Sequence, residues 1–183
     1  NILFQGLASV KNGRFSFEMK IPQDIYYYDG NGKLSLYATN DTIQAAGVFT
    51  NLLINGSETS ADDDFEGPVI TLSFDNKKFV NGSMTHQNPR LSVLVVDSSG
   101  INVSNASFGH GITLTIDDDE SNQILLNDFF YADLNTFVSG TLQYQLENLS
   151  EGEHTLTISV SDAYNNVTEE EIQFDVVNGQ NVT

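Results

Sequence analysis

The sequence predicts an all-β protein that contains an immunoglobulin-like β-sandwich. Polar and apolar residues alternate over short segments through most of the 183-residue chain, as they do in strands with one buried face. Turn-forming residue pairs separate these segments, and no segment has the period of a helix longer than about two turns. Together these patterns favour many short antiparallel strands.

The first part of the chain, residues 1–56, offers about five short strands. Residues 14–21 alternate strictly, and Asn12-Gly13 before them is a hairpin signal because both turn positions accept positive φ. Further strands are predicted over residues 33–38 and 47–54. Since this part is short for a complete sandwich and begins with an apolar stretch, we expect it to be the tail of a preceding β-sandwich and the less stable unit.

Residues 57–67 are polar and acidic with a single large apolar residue, which is typical of a linker. The remainder, residues 68–178, accommodates about seven strands, as in an immunoglobulin-like sandwich. A polar tail over residues 179–183 follows, and residues 127–135 are open to either a short helix or a loop. The predicted strands of the sandwich cover residues 69–74, 91–96, 112–116, 124–126, 141–146, 155–160 and 172–177.

The charge balance excludes several partners. Lys and Arg number 7 against 25 Asp and Glu, which gives a net charge of −18. Such a chain repels phosphate backbones and anionic membrane surfaces, so we expect no nucleic acid and no membrane insertion. No stretch approaches the roughly 18 apolar residues of a membrane helix. Cysteine is absent, which excludes disulfides, thiolate metal ligands and a cysteine nucleophile within this chain.

One acidic segment can be aligned with the twelve-residue calcium loop. Asp117 and Asp119 take its first and third positions and Asp128 its last. The loop needs Gly at position six and a bidentate Glu at position twelve, and Asn122 and Asp128 stand there instead. These aspartates are weak metal candidates, and the segment is interpreted as a solvated hairpin tip. We therefore predict no metal, no cofactor and no structural calcium.

Three residues are predicted to organise loops. Asp97 and Asp162 each end a predicted strand, where a carboxylate can accept backbone N–H groups of the following turn. The alternative is that the two converge on a cation at one end of the sandwich. His110 lies between two glycines, Gly109 and Gly111, and is expected to hydrogen-bond within its loop.

No catalytic residue is predicted. The chain has no nucleophile elbow, and no serine has a base in a recognisable motif. His154 begins a predicted strand and is interpreted as a surface or edge residue. A sugar-binding platform is conceivable at Tyr26–Tyr28, although one buried Tyr at a strand end is the simpler interpretation. The acidic triplet Asp62–Asp64 belongs to the predicted linker.

An ordered series of segments covers nearly the whole chain: 12–17, 21–25, 30–38, 46–56, 66–70, 99–102, 109–112, 126–134, 151–156 and 162–166. This series resembles the region that follows the peptidase domain in gingipain-like cysteine peptidases of Bacteroidetes, especially the type IX secretion sortases. Two positions depart from it: Gly111 stands where Asp usually follows the His, and Ser161 stands where an aromatic residue usually precedes the Asp.

The resemblance implies a protein of the cell surface, at the exterior of the outer membrane. Its catalytic Cys and His would lie in a domain upstream of residue 1, and this chain would be a non-catalytic stalk or scaffold. The implied partners are other domains of the parent protein and other secretion-system proteins. The alternative function is a surface carbohydrate-binding or adhesion module, and an independent hydrolase is the least favoured.

Overall fold

A computed structural model describes residues 2–23, 25, 31–40, 42–54, 63–75, 77–78, 80–104 and 110–177. The fold is all-β, as predicted. Besides the strands, the described residues form two 3-10 helices, Glu120–Asn122 and Asn127–Phe129. Among the described residues, no helix is long and apolar enough to cross a bilayer. The tail at 179–183 and most of the predicted linker lie outside the described residues.

The chain divides into two compact units. One consists of Asn1–Ser9, Ser16–Ile25 and Asp64–Thr183, and the other of Val10–Phe15 and Tyr26–Asp63. This division differs from the predicted boundary at residue 56, because two segments of the first part of the chain belong to the unit that contains the sandwich.

The described strands follow the chain in the order β1 to β12. Their bounds are β1 Asn31–Thr39, β2 Gln44–Leu53, β3 Val69–Phe74, β4 Lys77–Lys78, β5 Ser83–Thr85, β6 Arg90–Val96, β7 Thr113–Ile116, β8 Ile124–Leu125, β9 Phe130–Ala132, β10 Ser139–Gln145, β11 Gly152–Ser161 and β12 Val167–Val176.

Two five-stranded sheets form the sandwich. The first has the strand order β4-β3-β6-β10-β9, and the second has the order β5-β12-β11-β7-β8. Neighbouring strands are antiparallel except β5, which pairs parallel with β12. Phe74 of the first sheet meets Phe174 of the second edge to face, with ring centroids 5.2 Å apart. The other unit contains the two-stranded antiparallel sheet of β1 and β2.

The core lies between the two sheets and follows the predicted alternation. In β6, Leu91, Val93 and Val95 are fully buried while the residues between them face outward. Leu156 and Ile158 of β11 are buried in the same way. Burial of each such side chain stabilises the fold by about 1.5–3 kcal/mol. A shift of one residue would expose all of them at once, so the period-two pattern determines which face of each strand points inward.

The strand predicted over residues 14–21 is wrong. Arg14 forms a single bridge with Lys11 across the Asn12-Gly13 turn, and residues 15–22 belong to no strand. Phe17 and Met19 are nevertheless half-buried, and the ring of Phe17 stacks on Phe4 at 5.9 Å. The alternation therefore reflects an extended segment with one covered face and no ladder partner.

The N-terminal residues also lie against the sandwich. Gly6 forms a parallel bridge with Ala132 of β9, whose amide donates to the carbonyl of Gln5 at 2.9 Å. The amide of Gln23 donates to the carbonyl of Ala163 at 3.0 Å. The contacts of Gln5 and Gly6 lie at the free edge of β9, and that of Gln23 lies at the turn between β11 and β12. The strands β4, β5 and β9 were not predicted, because two or three residues are too few to show a period.

We predict that Gly140→Ala destabilises the sandwich by about 1–3 kcal/mol, the usual cost of overpacking. A Cβ atom at Gly140 of β10 would lie against Cζ of Phe130 and 2.9 Å from the Cα atom of Ala132. Gly47→Ala in β2 is the control, because no atom lies within 4 Å of the added Cβ there. Urea unfolding measures both variants, and equal midpoints would contradict the prediction.

Candidate functional site

Three aspartates converge where β6 and β11 end and shortly before β3 begins. One carboxylate oxygen each of Asp64, Asp97 and Asp162 lies within 4.8 Å of the others. Asp97 is 7% exposed and Asp162 is fully buried, whereas Asp64 is half-buried. The structure therefore brings together the two predicted strand-end aspartates and adds one from the predicted linker.

Asp97 and Asp162 each organise the turn that follows them. Oδ1 of Asp97 accepts the amide of Ser99 at 2.7 Å. Oδ1 of Asp162 accepts the amides of Tyr164 and Asn166, both at 2.8 Å. The side-chain amide of Asn166 donates to Oδ2 of Asp162 at 2.8 Å. A buried carboxylate is tolerated when N–H groups satisfy it in this way.

Asp64 connects these two turns. Its carboxylate accepts the hydroxyl proton of Ser99 and, at 3.1 Å, the amide of Glu66. The carbonyl of Asp64 accepts the side-chain amide of Asn166 at 3.1 Å. Residues 64–66 of the predicted linker are thus hydrogen-bonded to both strand-end turns.

The like charges of the cluster act against one another. Carboxylates within 4.8 Å of one another repel when all of them are ionised. Burial raises the pKa of Asp97, and the nearby charges of Asp162 and Asp64 add to the rise against the hydrogen bond from Ser99. The hydroxyl of Ser99 holds the pKa of Asp64 below its usual value. Burial therefore favours the protonated form of Asp97.

Carboxylate oxygens in such a cluster are the ligand type that hard cations prefer. Here both oxygens of Asp64, both of Asp162 and one of Asp97 accept hydrogen bonds from the described residues. These bonds hold three chain segments together. The geometry accordingly supports a role in organising loops, and the cluster by itself does not assign a metal.

We predict that Asp97→Asn raises the free energy of unfolding at pH 7, on the order of 1 kcal/mol. Because its pKa is raised, the contribution of Asp97 to stability is greatest below the unfolded value of 3.8, and this contribution is lost as pH rises through the folded pKa. An asparagine removes the buried charge and still accepts the Ser99 amide. The gain should therefore shrink toward pH 4.

Asp119→Asn is the matched control for this prediction. Hydrogen bonds from Ser121 and Asn122 lower the pKa of Asp119, so its charge favours the fold and its removal should destabilise the protein at pH 7. Urea unfolding of both variants between pH 4 and pH 7 measures the difference. A loss of stability in Asp97→Asn at pH 7 would overturn the assignment.

The three calcium-loop candidates do not form a cluster among the described residues. Asp119 caps the first 3-10 helix by accepting the amide of Ser121 at 3.1 Å. Asp128 lies exposed in the second 3-10 helix. Asp117 accepts the amide of Thr155 at 3.0 Å and is the partner of a histidine. Asp119 thus serves its own turn, Asp117 contacts β11, and Asp128 is exposed.

The interpretation of His154 as a surface residue is wrong, because it is only 8% exposed. Its Nδ1 lies 2.7 Å from Oδ2 of Asp117, and its Nε2 lies 2.9 Å from the carbonyl oxygen of Ser150. Its ring stacks on Phe174 with centroids 5.6 Å apart. The alternation of β11 contained the signal, since His154 shares a face with Leu156 and Ile158.

Asp117, His154 and Ser150 lie in the order of a catalytic triad, with Oγ of Ser150 3.2 Å from Nε2. The shorter contact of Nε2 is to the carbonyl of Ser150, and Nδ1 faces a carboxylate. Both nitrogens therefore face acceptors and are satisfied by a protonated ring that donates twice. A ring protonated in this way has no lone pair for the proton of the Ser150 hydroxyl group, and its contacts join β11 to Asp117 and Ser150.

The protonated state of His154 should make stability depend on pH. Burial alone lowers its pKa, but the Ser150 carbonyl, the hydrogen bond to Asp117 and the charges of Asp117 and Asp175 together raise it above 6.5. The contribution of protonated His154 to the stability of the fold is complete below its unfolded pKa of 6.5. This contribution is lost as pH rises through the higher folded pKa.

We predict that His154→Gln lowers the free energy of unfolding by about 1–3 kcal/mol at pH 5.5, and by less at pH 9. His86→Gln is the control, because His86 contacts Asp75 at 2.9 Å in an exposed pair that contributes about 0–1 kcal/mol. Urea unfolding from pH 5.5 to pH 9 measures both variants. A pH-independent loss at His154 would show that packing alone is responsible.

The backbone on the C-terminal side of His110 is fixed by hydrogen bonds and close packing. The carbonyl of His110 accepts the hydroxyl proton of Ser161 at 2.5 Å. Gly111 is closely packed, since a Cβ there would lie 2.8 Å from Cδ1 of Leu125 and 3.0 Å from Oδ1 of Asn127. The buried Asn127 accepts the amide of Ile112 at 3.0 Å. Gly109 lies outside the described residues.

The chain is similar to known solved structures. A crystal structure of dimeric latent PorU from Porphyromonas gingivalis superposes on 93% of this chain with a TM-score of 0.61 and 30% sequence identity. The chain is similar to a part of PorU. It spans 16% of the PorU chain, and this similarity agrees with the gingipain-like resemblance in the sequence.

Two further structures are less similar than PorU. An endo-β-1,4-mannanase from Thermotoga petrophila is 16% identical with a TM-score of 0.40, over 65% of this chain and 21% of its own. The CARDB domain of the PF1109 protein from Pyrococcus furiosus is 14% identical with a TM-score of 0.34, over 67% of this chain and 100% of its own. No protein-family model and no curated protein matches the sequence.

Proposed function

We propose that the chain is a non-catalytic accessory region of a cell-surface gingipain-like peptidase that resembles PorU, the sortase of type IX secretion. In this role its β-domains hold the peptidase at the exterior of the outer membrane and contact other secretion proteins. The observation that carries the proposal is the similarity to PorU over 93% of this chain at 30% identity.

The residues of the chain support an accessory role. The sequence has no cysteine, so the nucleophile of a cysteine peptidase must come from another part of the parent protein. Both ring nitrogens of the triad-like histidine, His154, are within hydrogen-bond distance of Asp117 and of the carbonyl of Ser150. The carboxylates of the aspartate cluster accept hydrogen bonds from the turns that they organise. These contacts favour structural roles for the titratable groups with the most distinctive surroundings.

We predict that the purified 183-residue chain does not turn over a peptide or glycan library, whereas the parent protein hydrolyses peptides through a cysteine. Circular dichroism and a cooperative melting transition establish that the chain is folded in the assay. The reading frame upstream of residue 1 should encode a peptidase domain with a Cys and a His. Turnover by the chain alone that survives repurification would refute the accessory role.

The carbohydrate-binding or adhesion alternative has its own readout. A glycan array probed with the folded chain should show no binding if the region is a scaffold. Specific binding that a sugar competitor removes, together with an upstream frame that lacks a peptidase, would favour the alternative. The candidate platform at Tyr26–Tyr28 lies outside the described residues, so mutation of these tyrosines in the array assay tests it directly.

A further inference from the structure

The strands by which the chain enters and leaves the sandwich run in the same direction. Among the described strands of the sandwich, β3 comes first in the chain and β12 comes last. Val69 at the start of β3 lies opposite the end of β6, and Val167 at the start of β12 lies opposite the end of β11. The residues that follow β6 and β11 are Asp97 and Asp162, whose carboxylates lie within 4.8 Å of each other. Both strands therefore begin at the aspartate cluster.

The chain consequently leaves the sandwich at the end opposite to the one at which it enters. β12 has ten residues, and at the usual strand rise its two ends are about 30 Å apart. Phe74 at the end of β3 contacts Phe174 near the end of β12, with ring centroids 5.2 Å apart. Tension along the polypeptide therefore pulls β3 toward the aspartate cluster and β12 away from it.

Tension in this geometry acts along the strands and loads each ladder as a whole. All six residues of β3 pair with β6, and all ten residues of β12 pair with β11. The hydrogen bonds between antiparallel strands lie perpendicular to the strand direction. A pull along the strand therefore shears them together, whereas a pull across the ladder opens it one pair at a time.

Packing of the core adds to the resistance against shear. A slip of one residue between β3 and β6 would turn Leu72 and Phe74 out of the core, and the same slip of β12 would expose Ile172 and Phe174. Each of these four side chains is at most 6% exposed. Movement along the strand therefore has to disrupt the ladder and the apolar packing in the same step.

The point at which the chain enters is fastened to the same end of the sandwich. The carboxylate of Asp64 accepts the hydroxyl proton of Ser99, and its carbonyl accepts the side-chain amide of Asn166 at 3.1 Å. Tension from the N-terminal side meets these bonds before it reaches β3. The aspartate cluster therefore lies where such tension enters the sandwich.

We propose that the sandwich is a tension-bearing link, which transmits a pulling force from the polypeptide before β3 to the polypeptide after β12 and stays folded at forces that open a ladder from one end. This mechanical function goes beyond the proposed scaffold role, because it depends on strand direction and register alone. It requires no partner other than the adjoining polypeptide.

Single-molecule force spectroscopy on the 183-residue chain tests the proposal. The chain has no cysteine, so two introduced cysteines are the sole attachment points for the pulling handles. Glu66→Cys with Val177→Cys places the handles just before β3 and just after β12, which applies shear. Glu151→Cys with Val177→Cys places them beside the paired residues Gly152 and Val176, which opens the ladder of β11 and β12 from one end.

The two double variants differ in the direction of the load. Both carry Val177→Cys, and the second substitution replaces an exposed glutamate in each, Glu66 or Glu151. Forced unfolding measures the barrier to unfolding along the pulled direction, and at one pulling speed the shear variant should unfold at a force at least about twofold higher. Equal forces, or a higher force for the Glu151→Cys variant, would overturn the proposal.

A pair of core substitutions locates the strand that yields. β3 has the shorter ladder of the two loaded strands, so it should yield first. In the shear variant, Leu72→Ala in β3 should lower the unfolding force more than Leu142→Ala, because Leu142 is equally buried in β10, which carries no handle. An equal loss of force from both substitutions would overturn the assignment to β3.

These forces are independent of catalysis. A chain that shows the directional difference, with an upstream frame that lacks a peptidase, would refute the proposed function and leave the tension-bearing link intact. A peptidase parent whose sandwich unfolds at the same force in both directions would refute the tension-bearing link alone.

Discussion

Burial of the inner faces of the two sheets fixes the positions of the turns that follow β6 and β11. β6 and β11 are the middle strands of their sheets, and their inward residues are fully buried. A shift of one residue in either strand would turn these side chains outward. The register is therefore fixed by the core, and the positions of the turns after β6 and β11 follow from it. Asp97 and Asp162 are neighbours because the strands that carry them cannot slip.

The aspartate cluster shows how an acidic protein accommodates buried charge. Its carboxylates are like-charged, and the described residues place no basic side chain within ion-pair distance of them. Backbone and side-chain N–H groups and the Ser99 hydroxyl act instead as the compensating dipoles. The energetic cost of burying a charged carboxylate is reflected in the raised pKa of Asp97. In return, one hydrogen-bond network joins three segments that are distant in sequence.

The N-terminal residues illustrate that a strand-like pattern does not require a strand. Phe17 and Met19 alternate with polar residues as a half-buried strand would. The sheet edge of β9 is bridged by Gly6 instead, and the segment around Phe17 packs by side chains alone. Lys20 places its ammonium group 4.3 Å from the ring centroid of Tyr164. Alternation of polar and apolar residues predicts which side chains are buried. Whether the backbone pairs as a strand depends on whether the tertiary structure places another strand beside it.

The sequence by itself determined the all-β class, the Asn12-Gly13 turn and most long strands, because these depend on local periodicity and turn chemistry. It also determined the acidic charge and the absence of any cysteine chemistry. Only the tertiary structure decided that Asp64 joins Asp97 and Asp162, since the first lies more than thirty residues from the others. Likewise, only the fold placed Ser150 and Asp117 on either side of His154. Contacts between residues distant in sequence depend on strand order and register, and neither leaves a period in the sequence.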